Sequence, residues 1–199
     1  MRCACIVLLC SAAARALTVG GQVSLPTTAP AAAFESVATP NTWPSMFLFS
    51  SSILAKEVVA AVPIQEGVAI KERAGAPPIL PLKLVWNCVS SEPDAGILLL
   101  HSEGVQGLLS GVERKFAVSD DGNGGSLVSI ETSFTRGDAP LALLLEPLLR
   151  LDIALSTLVL APGALTGSSR KTQVVWGGLF GIYLLQNVAW MSMFGILKM

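Results

Sequence analysis

The chain has 199 residues, enough for one ordinary domain plus tails. Hydrophobic residues make up 52% of it and charged residues 14%, a balance too apolar for a purely soluble protein and one that points to membrane segments. The formal net charge is −1 and no basic run occurs, which argues against nucleic acid as a partner.

Residues 1–16, MRCACIVLLCSAAARA, read as a targeting segment. Arg2 gives a positive start, Ile6 to Cys10 an apolar core, and Ala14-Arg15-Ala16 a small-residue cleavage site. Cys3, Cys5 and Cys10 all lie in this segment, so its removal leaves Cys88 alone, without a disulfide partner or a zinc set. With His101 the single histidine, no metal and no cofactor is expected. The dinucleotide, Walker, G-x-S-x-G and H-E-x-x-H patterns are all missing from the sequence.

From Val19 the stretch GQVSLPTT reads as an edge strand bounded by Gly21 and Pro26. A helix follows in APAAAFESVA, with Thr28 as candidate cap, Pro30 in the first turn, and Phe34 and Val37 on one face. Pro40 and Pro44 break it, and a further helical turn is expected over Ser45 to Phe49. Strands are expected over Ser52–Val62, rich in Val, Ile and Ala, and over Val68–Gly75. In LKLVWNCVSS, Leu82, Leu84, Trp86 and Cys88 share one face opposite Lys83 and Asn87. Glu92 to Gly96 makes a turn into GILLLHS, an apolar run typical of a covered strand. The segment GLLSGVERKFAVS then runs to the turn at Asp120–Gly125. After it, Val128, Ile130, Thr132 and Phe134 alternate with Ser129, Glu131, Ser133 and Thr135. Short turns with no helices between strands specify an antiparallel meander.

The stretch Asp138–Pro162 is the long helix. Asp138 is the candidate N-cap, Pro140 falls in the first turn, and Pro162-Gly163 is a stop signal. Ten leucines lie between them, but Glu146, Arg150 and Asp152 argue against a membrane span. Pro147 is expected to kink this helix. A helix apolar nearly all round with one charged strip belongs against a large apolar surface, here a curved sheet.

This order of elements, with Ala29-Pro30 opening the first helix and Trp43-Pro44 after it, resembles the helix-grip superfamily (START-like, SRPBCC), which includes polyketide cyclase/dehydrase-like and lipid-transfer proteins. The resemblance covers roughly residues 21–162. It implies an α+β fold in which a curved antiparallel sheet of six or seven strands surrounds the long C-terminal helix. It also implies a cavity between sheet and helix that takes hydrophobic ligands.

Residues 163–173 read as a polar linker. From Val174 to Leu197 the chain carries no charge, and at 1.5 Å per residue these 24 residues span about 36 Å, enough for one transmembrane helix. Gly177 and Gly181 form a G-x-x-x-G, and Gln186-Asn187 place two amides near mid-membrane, so the segment is suited to meet another helix. Together with the leader, Arg170 and Lys171 on the domain side favour a single-pass plastid membrane protein (thylakoid or envelope). The alternative is the endoplasmic reticulum and secretory route.

Strand parity supplies the site candidates. Glu72 shares a face with Val68 and Ile70, and Arg114 with Val112, Phe116 and Val118. If those faces point inward, both charges line the cavity near Asp152 and must be paired or meet a ligand. The plainer alternative is a bulge that flips one strand and leaves both charges in solvent. Thr132 and Phe134 join the candidates from the last strand, Trp86 and Cys88 from the LKLVWNCVSS strand. His101, in phase with Ile97 and Leu99, is either a cavity base or, more plainly, a structural histidine. Three functions follow: a membrane-anchored binding module for a lipid, quinone, pigment or isoprenoid-like molecule; a cyclase or dehydratase-like enzyme using His101 or Glu72; or a non-catalytic membrane assembly factor.

Overall fold

A computed structural model describes residues 16–55, 57–76, 80–167, 171, 174–175 and 177–178. Seven antiparallel strands form one curled sheet: β1 (Ala16–Leu25), β2 (Ser50–Ile53), β3 (Ala69–Ala76), β4 (Leu80–Glu92), β5 (Ile97–Val105), β6 (Leu109–Asp120) and β7 (Ser126–Arg136). Their order across the sheet is β1-β7-β6-β5-β4-β3-β2, so the meander β3 to β7 is contiguous and the two edges are the first strand and the short second one. Between β1 and β2 lie α1 (Pro30–Ala38), a 3-10 turn (Pro40–Thr42) and α2 (Trp43–Met46), and α3 (Glu57–Ala60) precedes β3.

The alternation read from the sequence sets which face is inside. Leu82, Leu84, Trp86 and Cys88 of β4 are buried, as are Leu98 and Leu100 of β5, Val112, Phe116 and Val118 of β6, and Val128, Ile130 and Phe134 of β7. Each buried residue of this size stabilises the fold by about 1.5–3 kcal/mol. Helix α1 places Phe34 and Val37 on the same core. The Trp43 indole N–H donates to the Val37 carbonyl at 2.9 Å, which ties α2 to α1.

The chain then runs through a 3-10 turn (Pro140–Leu144), α4 (Leu145–Leu155), a π-helical turn (Ser156–Leu160) and α5 (Ala161–Leu165). Leu145 and Ile153 are buried against the core, and Glu146 pairs with Arg150 at 2.9 Å on the outside. Pro147 does not interrupt a helix interior, because α4 begins at Leu145 and the proline stands in its first turn, where no N–H is needed. Pro162 likewise opens α5 instead of stopping the helix. The residue flanking the N-terminus is Ala139, with no side-chain cap, so the expected Asp138 cap does not form.

Other expectations shift as well. The first strand begins at Ala16, five residues before the expected domain start. Of the expected Ser52–Val62 strand only Ser52 and Ile53, the end of β2, are extended, and its second half coils as α3. Gly163 and Leu165, read as the start of a linker, are buried residues of α5. Residues 1–15 of the targeting segment lie outside the described residues, and so do Gly181, Gln186 and Asn187. Among the described residues no helix is long and apolar enough to cross a membrane.

Candidate functional site

Between the inner face of the sheet and α4 lies a cavity of about 60 Å³. Leu82, Leu84, Leu109, Val112 and Phe134 form its sheet wall. Leu145, Leu148 and Leu149 form its helix wall, and Phe47, Phe49 and Ser50 close it from the segment that leads into β2. Five polar side chains reach into this apolar surround, each delivered by a different element: Ser50 from β2, Glu72 from β3, Arg114 from β6, Thr132 from β7 and Asp152 from α4.

Both charges on β3 and β6 point inward. Arg114 is 6% exposed and Glu72 1%, so no bulge turns them to solvent. The irregularity in β6 lies between Ser110 and Glu113, and Arg114 stands in regular register opposite Thr132. Arg114 Nη1 is 3.7 Å from Glu72 Oε2, and the Trp86 indole N–H donates to that same oxygen at 2.6 Å. The guanidinium lies over the Phe47 ring at 4.3 Å and over the Trp86 ring at 4.6 Å, so two aromatic rings hold it. This clamp fixes the cation, and Arg114 Nε and Nη1 find no hydrogen-bond acceptor among the described residues. Glu72 Oε1, Thr132 Oγ1 and Ser50 Oγ are also buried without a partner among the described residues. Buried polar atoms are otherwise almost always paired, and here five such atoms gather at one cavity.

Asp152 completes the set. Its Oδ1 accepts from the Phe49 backbone N–H at 3.1 Å. Burial pushes its carboxyl above the usual carboxylate range, with the neighbouring Glu72 adding to the rise; the Phe49 and Leu48 backbone and the Arg114 charge pull it back. Lys171 approaches from beyond α5, and its ammonium donates to the carbonyls of Pro44 (2.7 Å), Phe47 (2.9 Å) and Ser50. Burial lowers the Lys171 pKa against the opposing pull of Asp152 and Glu72.

Six of the eight cavity candidates read from the sequence meet here: Trp86, Glu72, Arg114, Thr132, Phe134 and Asp152. The other two do not. His101 lies on the outer face of β5 with its side chain 32% exposed, 3.7 Å from Glu103, and cannot serve as a cavity base. Cys88 faces inward and is buried, but sits past the cavity at the irregular β4–β5 pairing. Burial chiefly, and then the charge of Glu66, raise the pKa of its thiol. Sequence reasoning missed Phe47, Ser50 and Lys171. The alternation of Phe47 with Phe49 after Pro44 was the one available signal.

Solved structures share this architecture. Ara h 8.0201 matches with 16% identity and a TM-score of 0.55, over 77% of this chain and 100% of its own. The Zhui aromatase/cyclase from Streptomyces sp. R1128 matches with 9% identity and a TM-score of 0.58, over 79% and 96%. TTHA0849 from Thermus thermophilus matches with 13% identity and a TM-score of 0.58, over 76% and 98%. Identities this low carry the fold alone, and that fold is the helix grip: a curled antiparallel sheet closed on a C-terminal helix. No family model matches the sequence, and no curated protein matches it either.

Proposed function

We propose that the domain binds a hydrophobic small molecule that carries one polar head. The observation behind this reading is the ring of buried, unpartnered polar atoms on Glu72, Arg114 and Thr132 inside an otherwise apolar cavity. Apolar walls supply affinity by desolvation, and a few convergent polar groups set orientation. Arg114 donates to a carbonyl or oxyanion of the head, while Glu72 Oε1 and Thr132 accept from a hydroxyl. The similarity to an aromatase/cyclase fold and to Ara h 8.0201 is in keeping with such a cavity.

As it stands the cavity is smaller than the roughly 300–1,000 Å³ of drug-sized sites, so a large ligand requires a wall to move. Native mass spectrometry of the full chain after incubation with a mixture of aryl ketones, phenols and matching hydrocarbons tests the reading. Retention of the oxygenated compounds, lost in Arg114→Met, is expected. Equal retention of the hydrocarbons by both proteins would count against a polar-headed ligand.

A second reading is favoured by Asp152, whose raised carboxyl beside Arg114 suits a general acid toward a ligand carbonyl, as in a cyclase-like reaction. Product formation that disappears in Asp152→Asn while binding persists would establish it. The uncharged run Val174–Leu197 adds membrane anchorage to either reading, with a plastid membrane as its setting. Extraction of the full chain from membranes by carbonate would remove that part.

A further inference from the structure

Lys171 follows the C-terminal helix and makes contacts that no sequence pattern announces. Its ammonium donates to three backbone carbonyls more than 120 positions earlier in the chain, those of Pro44, Phe47 and Ser50. An ammonium has three N–H donors and no acceptor, so these three carbonyls satisfy it completely. They belong to one short segment, which leaves α2 and enters β2. The same segment supplies the closing wall of the cavity, through Phe47, Phe49 and Ser50. Further contacts hold that wall: Phe49 N–H donates to Asp152, and the Phe47 ring stacks on the Arg114 guanidinium and packs against Phe116.

The wall is thus fastened at one end by a tethered cation and faces a cavity too small for the ligands its chemistry fits. Although Phe47 is buried, residues 47–49 belong to no strand and β2 pairs with the sheet only through β3, so this segment opens at lower free energy than the strands of the meander. We propose that Lys171 latches the 47–50 segment shut over the cavity, so that the chain beyond the C-terminal helix controls admission of the ligand. Lys171 is then a positioning residue. It touches no ligand, but sets Phe47 against Arg114 and holds the wall from outside. The latch rests on reading the cavity as a ligand site, and its test separates the two.

Hydrogen exchange on the full-length protein reads the latch without any ligand. In Lys171→Gln, loss of the charge-assisted bonds should raise exchange of the 47–50 amides about tenfold, while β5 and β6 amides keep their protection. Lys171→Arg retains the charge, but its planar fork does not fit three carbonyls around one point, so intermediate exchange is expected. Stopped-flow mixing with 1-anilinonaphthalene-8-sulfonate should show faster association with Lys171→Gln than with the parent protein. Unchanged exchange at 47–50 would overturn the latch. So would equal acceleration in β5 and β6, because Lys171 would then support the fold as a whole. Faster exchange at 47–50 with no probe binding to either protein would leave the latch standing and count against the ligand site.

Discussion

Asp152 is a carboxyl group in a place that disfavours its charge. It is 3% exposed, it accepts a hydrogen bond from the Phe49 backbone, and Glu72 lies among the charges that act on it. Burial is the largest influence and raises its pKa, so the folded state holds the Asp152 proton to higher pH than the unfolded chain does. The sign of the linkage follows. The favourable contribution is complete below the ordinary carboxylate value and is lost as pH rises through the raised one. Asp152→Asn keeps an acceptor for Phe49 and removes the charge. Urea midpoints of variant and parent, compared at about pH 4 and about pH 8, should move in the variant's favour at the higher pH. A difference that does not change with pH would contradict this. Why some of these residues were legible and others were not is a matter of periodicity. Glu72, Arg114, Thr132 and Phe134 could be placed because a strand sends alternate side chains to one face. His101 misled because Ile97 and Leu99, with which it is in phase, are apolar on the outer face of β5 while Leu98 and Leu100 fill the inner one. A strand apolar on both faces gives no parity. Lys171 had no local signal at all, since its partners are fixed only by the tertiary fold.

At the level of elements, the C-terminal helix depends on a gap in the first strand. A Cβ on Gly21 would stand 2.7 Å from Thr157 Cγ2 and 3.3 Å from Ile153 Cγ2, closer than carbon atoms pack. Gly21 therefore lets β1 approach the helix at the junction of α4 and the π-helical turn. The turn widens the helix there, and Thr157 Oγ1 donates back to the Ile153 carbonyl at 2.8 Å. Gly21→Ala should cost about 1–3 kcal/mol by overpacking. Adding Thr157→Ala should recover a large part of that, which a double-mutant cycle in urea would show as coupling of about 1 kcal/mol or more. Additive effects would mean that the close approach is not what the glycine provides. The strands of the meander were legible because turn residues punctuate them at Pro93–Gly96 and Asp121–Gly125. The segment after β2 was not, because the run of Val58 and Val59 between Glu57 and Ala60 satisfies a helical turn as well as a strand. The helical character of the C-terminal stretch was readable from its leucines, but two of its three prolines, and with them its end, were misjudged. Pro147 and Pro162 each fall near the start of a helical segment, where sequence alone places no boundary.

For the whole molecule, the fold gathers one polar residue from each of five elements onto a single apolar cavity. The resemblance of the element order to helix-grip proteins anticipated the sheet, the closing helix and the space between them. It did not anticipate how the space is shut. On the proposed function this cavity takes an apolar molecule through a polar head at Arg114, and the Trp86 indole senses such a head. Its N–H donates to Glu72 and its ring lies against Arg114, so a head that engages either group must disturb it. Titration of the 15N-labelled full chain with acetophenone, and in parallel with ethylbenzene of nearly the same shape, isolates the contribution of the carbonyl. Acetophenone should shift the Trp86 indole resonance saturably and bind about tenfold more tightly than ethylbenzene, as one charged hydrogen bond supplies. An unmoved Trp86 resonance, or equal affinity for the two compounds, would contradict the claim.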